Sequence, residues 1–170
     1  AIGVAAAVGK LHRRGLVHKD LKPANIVVDC ADDRVRLTGF GLASRLPRER
    51  QAPAAPETIA GTFAYMAPEQ TGRTNRSIDS RSDLYSLGII FYQMLTGSLP
   101  FVATDPMEWV HCHVARRPVP LADCKPGTPA VLSAIIMRLL AKPAEDRYQT
   151  AAGLESDLRR AVQHNDFELH

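Results

Sequence analysis

One short segment, residues 18–25 with the sequence HKDLKPAN, gathers three side chains of complementary chemistry. Asp20 can accept a proton from a hydroxyl group, and Lys22 can hold negative charge on a phosphoryl group during transfer. Asn25 offers a neutral oxygen, which is the hard kind of ligand that Mg²⁺ prefers. Phosphoryl transfer needs positioning and charge neutralisation more than covalent chemistry. The three residues therefore form a candidate phosphoryl-transfer site, although Asp20 alone would be better explained as an ordinary turn aspartate.

The rest of the chain, which holds residues 18–25 in place, is predicted to be mostly helical. Apolar residues at helical spacing predict a helix over residues 1–14, which ends at Gly15. The β-branched runs IVVD and VRLT, joined by a polar turn at residues 30–34, predict a small hairpin. Residues 46–60 hold three prolines and predict a loop, whereas residues 82–96 are apolar almost all round and predict a buried central helix. Further amphipathic helices are predicted over residues 105–115, 129–141 and 150–163.

Composition limits the classes of protein to which the chain can belong. Its 170 residues suit one domain, and the formal charge of +3 is too small to indicate a nucleic-acid partner without a clustered basic patch. The three cysteines, Cys30, Cys112 and Cys124, form no C-x-x-C pair, which favours a reduced, cytoplasmic setting. No apolar run reaches the roughly 20 residues that a membrane span requires.

Four signatures in this chain resemble those of the eukaryotic-type protein kinase family, and they occur in the family's order. The catalytic-loop signature H-R-D-L-x-x-x-N is matched by residues 18–25, and A-P-E is matched at Ala67-Pro68-Glu69. The segment SDLYSLG, which contains Asp83, is similar to the family's D-x-x-S-x-G, and Arg147 lies where the family has an arginine that pairs with the A-P-E glutamate. The resemblance implies structural roles for His18, Glu69, Asp83 and Arg147.

The resemblance also implies an activity, namely ATP-dependent phosphorylation of serine or threonine in proteins. It assigns Asp20 as the base, Lys22 to the γ-phosphate and Asn25 to Mg²⁺. Lys22 and Thr62 are similar to the serine/threonine class rather than the tyrosine class, and Thr62 is expected to bond to Asp20 and Lys22. ATP and Mg²⁺ are the implied cofactors. The implied partner is a protein substrate or a regulatory domain, with no nucleic acid.

The fold implied by the resemblance is the large C-terminal lobe of a kinase, mainly α with small β-hairpins and truncated before the N-lobe. This lobe is expected to occupy residues 1–163, with a linker starting over residues 164–170. The family's glycine-rich lid, strand lysine and partner glutamate should precede residue 1, so this fragment alone is expected to be inactive. The sequence is also similar to kinase-like domains of large bacterial sensor proteins, the hybrid histidine kinases, which carry further ATPase and histidine-kinase modules.

The turn Gly39-Phe40-Gly41 departs from the family, which has Asp-Phe-Gly there. Glycine has no side-chain oxygen, so one of the two protein ligands to Mg²⁺ is lost, a change that can cost roughly 3 kcal/mol of transition-state stabilisation. Two interpretations follow. Either residues 18–25 still support phosphoryl transfer, or the domain is a pseudokinase, a regulatory or interaction module with weak or no transfer. Asp29 is the nearest acidic residue that could substitute, but its spacing does not favour it.

Other patterns in the chain are better explained by packing than by chemistry. The segment GVAAAVGKL resembles a phosphate-binding P-loop, but Val4 occupies the position of its first glycine. Neighbours at 111–113, His-Cys-His, point about 100° apart on a helix and cannot all face one metal ion. Trp109 is predicted to be a packing anchor, and Met94 and Met107 are predicted to fill gaps in the core.

Overall fold

The computed structural model describes residues 1–45 and 63–166, and the side chains up to residue 163. It is mainly helical with two small antiparallel sheets, which confirms the predicted fold class. No helix in these ranges is long and apolar enough to cross a bilayer. The helices are α1 (Ile2–Arg13), α2 (Ser80–Thr96), α3 (Pro106–Val114), α4 (Leu121–Cys124), α5 (Ala130–Leu139) and α6 (Ala151–Asp166). The strands are β1 (Leu16–Val17), β2 (Ile26–Asp29), β3 (Arg34–Leu37) and β4 (Ser44–Arg45).

Helix α2 forms the centre of the core, as its apolar sequence predicts. Every residue from 82 to 92 is buried, including the polar side chains of Ser82 and Asp83. The helix begins two residues before the predicted start because Asp79 caps it, accepting a hydrogen bond from the backbone N–H of Arg81. It ends at Thr96 and is followed by the capping residue Gly97, whose φ of 78° is readily adopted only by glycine.

Helix α1 carries the chain towards the candidate site. Its buried face, formed by Val4, Ala5, Val8 and Leu11, packs against α6 and β3. The helix ends at Arg13, one residue before the predicted end, and the chain then enters β1 and residues 18–25. Because α1 packs against both α6 and β3, the direction in which the chain runs into residues 18–25 is fixed.

Two antiparallel pairs flank residues 18–25. Strands β2 and β3 form the predicted hairpin, with Ile26 opposite Leu37 at the end nearest the candidate site. Strand β1 pairs with β4, with Val17 opposite Ser44, and this pairing is not predicted by the sequence. Two-residue strands carry too few side chains for a detectable alternation of apolar and polar residues. The two pairs therefore place the segment that precedes residue 18 and the segment that follows residue 39 next to each other.

Some sequence-based expectations about the helices are wrong. Met94 is 60% exposed and Met107 is 58% exposed, so neither methionine fills a gap in the core. Both lie on helices whose buried faces are formed by other residues, and hydrophobicity alone does not identify the face. The short helix α4 is also absent from the sequence-based prediction. The other helices match their predicted spans closely, and α6 continues three residues further, to Asp166.

Candidate active site

The three candidate catalytic side chains come together in the structure. The Nζ atom of Lys22 lies 3.0 Å from Oδ2 of Asp20. The Nδ2 atom of Asn25 donates hydrogen bonds to the backbone oxygen of Asp20 at 2.8 Å and to its Oδ2 at 3.2 Å. The second carboxylate oxygen of Asp20, Oδ1, is buried and has no hydrogen-bond partner among the described residues. One oxygen of Asp20 is thus held by two partners, while the other has no hydrogen-bond partner within the described ranges.

The short turn that contains Asn25 is built by Pro23. The proline stands at the first position of a single 3₁₀ turn, Pro23–Asn25, where its fixed φ is favourable and its missing N–H costs no hydrogen bond. The backbone N–H of Thr38 then donates to the carbonyl oxygen of Asn25 at 2.9 Å. The hairpin and the proline turn therefore fix the backbone of Asn25 from both sides.

The carboxylate of Asp83, at the start of α2, organises the backbone before Asp20. It accepts hydrogen bonds from the N–H groups of His18 at 2.8 Å and Lys19 at 2.9 Å. It also accepts from Nε2 of His12, at the end of α1, at 2.8 Å. Asp83 is 1% exposed, so its carboxylate has lost its contacts with water. These three donors replace the lost hydrogen bonds and reduce the cost of burying the charge. The role of His12 is not predicted by the sequence, because it depends on how α1 packs against α2.

Lys19 adopts a backbone conformation that is uncommon for a residue with a side chain. Its φ is 67°, in the left-handed region. Two hydrogen bonds stabilise this conformation, since its N–H donates to Asp83 and its carbonyl oxygen accepts from Nε2 of Gln70 at 2.7 Å. Gln70 directly follows the A-P-E sequence, and it therefore ties that segment to the residue before Asp20.

His18 is fully buried and bridges residues 18–25 to the Gly-Phe-Gly turn. Its Nε2 donates to the carbonyl oxygen of Thr38 at 2.8 Å, and its Nδ1 accepts from the N–H of Asp20 at 3.3 Å. Its ring lies 4.9 Å from that of Phe40, between centroids. With one nitrogen donating and the other accepting, this buried histidine holds two segments together.

The predicted pair between Glu69 and Arg147 is present and buried. The guanidinium binds the carboxylate through two hydrogen bonds, Nη1 to Oε1 at 2.8 Å and Nη2 to Oε2 at 3.0 Å. Ser82 also donates to Oε1 of Glu69 at 2.7 Å. The remaining guanidinium hydrogens bond to carbonyl oxygens, those of Arg81, Ala141 and Lys142. The pair therefore links the A-P-E segment to the start of α2 and to the loop before α6.

The Gly39-Phe40-Gly41 turn has no side-chain oxygen that could bind a cation. Gly39 has φ of 77°, and the ideal position of a Cβ atom on it lies 2.4 Å from the side-chain carboxamide of Asn25. The described residues contain no cluster of three or more His, Cys, Asp or Glu side chains that could hold a metal ion. The donor set near Asp20 thus provides one neutral oxygen and one carboxylate, and it does not fit the two-ligand Mg²⁺ site implied by the family.

A buried polar cluster, formed by His113, Tyr85 and Lys142, lies next to the segment that leads to A-P-E. His113 accepts from the Tyr85 hydroxyl at 3.0 Å and donates from Nε2 to the carbonyl oxygen of Phe63 at 2.7 Å. Lys142 donates to the Tyr85 oxygen at 3.3 Å. Burial lowers the pKa of His113 to about 4 and the pKa of Lys142 to about 8. The cluster holds helix α3 to the backbone of residue 63.

This cluster also explains the His-Cys-His sequence of α3. His111 is exposed, whereas Cys112 and His113 are buried, and His113 uses both ring nitrogens in hydrogen bonds. Trp109 stacks on His113 with 5.9 Å between ring centroids, in keeping with its predicted role as a packing anchor. The sequence gives no signal for the link to Phe63, since that contact joins residues 50 positions apart. Thr62, the remaining predicted site residue, lies outside the described residues.

Comparison with known proteins places these motifs in context. A family model described as "Protein kinase domain" matches residues 1–157. Serine/threonine-protein kinase PknB of Mycobacterium tuberculosis (strain H37Rv) is 38% identical over 149 residues, which are 88% of this chain and 23% of that protein. Hybrid signal transduction histidine kinase G of Dictyostelium discoideum is 47% identical over 97 residues, 57% of this chain and 3% of that protein. The chain thus spans about a quarter or less of the length of these relatives.

Proposed function

The chain belongs to the protein kinase domain family, and from this premise we propose that its parent protein transfers the γ-phosphate of ATP to serine or threonine hydroxyls in proteins. The observation that carries the proposal is the state of the Asp20 carboxylate. Its Oδ2 is held by Lys22 and Asn25, while its buried Oδ1 has no hydrogen bond within the described ranges. An unpaired carboxylate oxygen in a buried place is costly unless a donor arrives, and a substrate hydroxyl is such a donor.

Each residue of the site has a separate task in this proposal. Asp20 accepts the proton of the attacking hydroxyl, which lies within hydrogen-bond reach when the substrate is bound. Lys22 is next to that carboxylate and stabilises the negative charge on the transferring phosphoryl group. Asn25 keeps the carboxylate oriented through the hydrogen bond from its Nδ2, and its side-chain oxygen Oδ1 is the atom proposed to bind a cation.

Asp83 supports these residues by accepting hydrogen bonds from the backbone N–H groups of His18 and Lys19. The Glu69–Arg147 pair holds the A-P-E segment, and Gln70, which follows it, bonds to the backbone oxygen of Lys19.

The choice of serine and threonine as substrates is part of the proposal. It is supported by Lys22, two residues after Asp20, which is the pattern of the serine/threonine class in the family. It is also supported by the relatives whose printed names describe serine/threonine-protein kinases. Thr62 is proposed to brace Asp20 and Lys22.

Members of this family use ATP with Mg²⁺, and when bound the cation neutralises phosphate charge. Asn25 is the side chain proposed to meet it in this chain. Because Gly39 provides no carboxylate, the residues do not fit the full family site, and the proposed proton transfer at Asp20 is derived without it. We propose a cytoplasmic setting, a kinase lobe over residues 1–163, and a linker from residue 164 towards the further modules of a bacterial sensor protein.

A second candidate function is favoured by Gly39 itself. A domain that keeps the fold and the Glu69–Arg147 pair but lacks a metal carboxylate is suited to a pseudokinase role. In that role it binds a partner domain or a nucleotide and regulates the sensor protein without transferring phosphate. The two candidates differ in one measurable quantity, the rate of phosphoryl transfer that depends on Asp20.

The test uses the parent protein with the whole kinase domain, γ-labelled ATP and casein as a generic acceptor. Asp20→Asn is expected to lower kcat/KM by about 10²-fold or more, because the base is removed and the shape is kept. Asp32→Asn, an exposed carboxylate in the hairpin turn, is the matched control and should leave the rate unchanged. Equal rates for wild type and Asp20→Asn, with unchanged ATP binding, would reject the enzyme and favour the regulatory module.

A further inference from the structure

Residues 63–70, the bridging segment, connect helix α3 to the backbone of the candidate site. At one end, Nε2 of His113 on α3 donates to the carbonyl oxygen of Phe63 at 2.7 Å. At the other end, Nε2 of Gln70 donates at 2.7 Å to the carbonyl oxygen of Lys19, the residue that precedes the proposed base. A change on α3 can therefore reach the candidate site along one continuous piece of backbone.

Hydrogen bonds within the bridging segment make it stiff. The segment contains two 3₁₀ turns, Phe63–Tyr65 and Pro68–Thr71, and α3 packs against both of them. The hydroxyl of Ser86 donates to the last carbonyl oxygen of the first turn at 2.7 Å. In the second turn, the side-chain oxygen of Gln70 accepts from the backbone N–H of Ala67 at 3.0 Å. A stiff segment passes a displacement at one end to the other end, because few of its torsions can absorb it.

The ring of His113 is held with Nε2 directed at Phe63. His113 is 1% exposed, and its ring lies 5.5 Å from the ring of Phe101 and 5.9 Å from that of Trp109, between centroids. The carbonyl oxygen of Phe63 also accepts from the backbone N–H of Met66 at 3.3 Å. His113 therefore binds the same oxygen atom that closes the first turn of the bridging segment.

The hydrogen bonds and charges around this ring select one protonation form. Nδ1 of His113 lies 3.0 Å from the hydroxyl oxygen of Tyr85, and Lys142 donates to that oxygen at 3.3 Å. Because a lysine ammonium offers only donors, the hydroxyl hydrogen of Tyr85 is directed to Nδ1, and the ring proton lies on Nε2. The guanidinium of Arg147 lies 4.9 Å from the centre of the Tyr85 ring and is paired with Glu69. A proton on Nδ1 would thus add a positive charge beside two cations.

We propose that His113 is a positioning residue for phosphoryl transfer, which acts as the neutral Nε2–H tautomer and fixes the backbone before Asp20 through the bridging segment. The inference rests on the proposed function, in which Asp20 is the base. Because His113 acts at the far end of the segment, its loss should misplace Asp20 without removing it. The Glu69–Arg147 pair still holds the middle of the segment, so the expected effect is a lower kcat in a folded protein.

The first test compares two amides at position 113 in the protein with a whole kinase domain, with γ-labelled ATP and casein. Glutamine is long enough to place an NH₂ group where Nε2 lies, whereas asparagine is one CH₂ group shorter and does not reach Phe63. His113→Asn should lower kcat about tenfold, the rate equivalent of roughly one hydrogen bond, and His113→Gln should stay within about threefold of the wild type. His111→Asn, at an exposed position of the same helix, is the control and should leave kcat unchanged. Equal kcat values for His113→Asn and His113→Gln would overturn the proposal.

A double-mutant cycle tests the route from His113 to Asp20. Gln70→Met keeps the length of the side chain but removes the donor to Lys19. With this link already broken, His113→Asn should lower kcat by less than about threefold. A tenfold loss in both backgrounds would show that His113 does not act through the bridging segment, and it would overturn the proposal.

A readout that needs no phosphoryl transfer separates this inference from the proposed function. In the 170-residue chain, solvent exchange of the Gln70 side-chain NH₂ reports on its bond to Lys19. This exchange should be at least about threefold faster in His113→Asn than in His113→Gln. Equal exchange rates would overturn the inference, whereas a wild type that transfers no phosphate would reject the proposed function and leave the route from His113 to Gln70 to be decided by exchange.

A measurement on the wild type protects the test against variants that do not fold. Nitrogen NMR of the His113 ring at about pH 7 should show the neutral Nε2–H tautomer, which is the form that donates to Phe63. The Nδ1–H tautomer has no donor at Nε2, and its detection would overturn the proposal.

Discussion

Replacing Arg147 with methionine should be among the most damaging single changes in this chain. Arg147 is 0% exposed and makes two hydrogen bonds to Glu69, which is itself 4% exposed. The substitution leaves a buried carboxylate without its cation, and breaking a buried ion pair in this way costs about 3–5 kcal/mol. Domains of this size are stable by only about 5–15 kcal/mol, so much of the stability would be lost.

The double variant Glu69→Met/Arg147→Met tests the reason for this loss. If the cost comes from the unpaired carboxylate, removing Glu69 as well should recover about half of it, because no buried charge remains. The recovery is incomplete because Arg147 also binds the carbonyl oxygens of Arg81, Ala141 and Lys142. Arg147→Lys should be nearly as damaging as Arg147→Met, since lysine keeps the charge but not the planar fork.

The assay is urea unfolding followed by the fluorescence of Trp109, which is the single tryptophan of the sequence. Arg159→Met is the matched control, because Arg159 pairs with Glu155 on the surface of α6 with its side chain 58% exposed. An exposed pair one helical turn apart contributes only about 0.3–0.5 kcal/mol. A cost below about 1 kcal/mol for Arg147→Met would contradict this explanation. So would a double variant that loses as much free energy of unfolding as Glu69→Met and Arg147→Met lose together when measured singly.

Three further predictions concern stability. Burial lowers the pKa of His113 in the folded state to about 4 from its ordinary 6.5, so the folded state should lose up to about 3 kcal/mol of stability as the pH falls from 6.5 towards 4. In urea titrations at several pH values, His113→Gln should remove this part of the pH dependence. Asp83→Asn should lower the free energy of unfolding in urea by about 2–3 kcal/mol, because the amide NH₂ would face an N–H group that now donates a hydrogen bond to the carboxylate. An unchanged free energy of unfolding would contradict this. In thermal melts, Gly88→Ala should lower the stability by about 1–3 kcal/mol, since its Cβ would lie 2.8 Å from the Cβ of Leu139. Gly153→Ala is the control, because its Cβ would make only ordinary contacts and should not destabilise the protein.

Several parts of the fold could be predicted because their signals are local. Residues 82–96, which are apolar almost all round a helix, predicted α2, and two β-branched runs around a polar turn predicted the β2–β3 hairpin. Both patterns depend on a period of apolar residues within one segment, which the sequence carries directly. The pairing of β1 with β4 was not predicted, because each strand has two residues and the pairing depends on the path of the chain between them.

The residue types of the candidate site could be predicted from the sequence, but its supporting contacts could not. The spacing within residues 18–25 indicated Asp20, Lys22 and Asn25, and the structure brings them together. The bonds from His12 to Asp83 and from His113 to Phe63 join residues 71 and 50 positions apart, so they depend on helix packing that no local pattern records. Assigning Met94 and Met107 to the core failed for a related reason, since hydrophobicity does not reveal which face of a helix is covered.

The most direct test of the proposed roles of Asp20, Lys22 and Asn25 is a crystal structure of the protein with a whole kinase domain, Mg²⁺ and a non-hydrolysable ATP analogue. We expect the Asp20 carboxylate, Lys22 Nζ and the Asn25 carboxamide to surround the γ-phosphate, with Lys22 within hydrogen-bond reach, roughly 3 Å. A structure in which these three groups point to separate regions, none of them near the γ-phosphate, would contradict it.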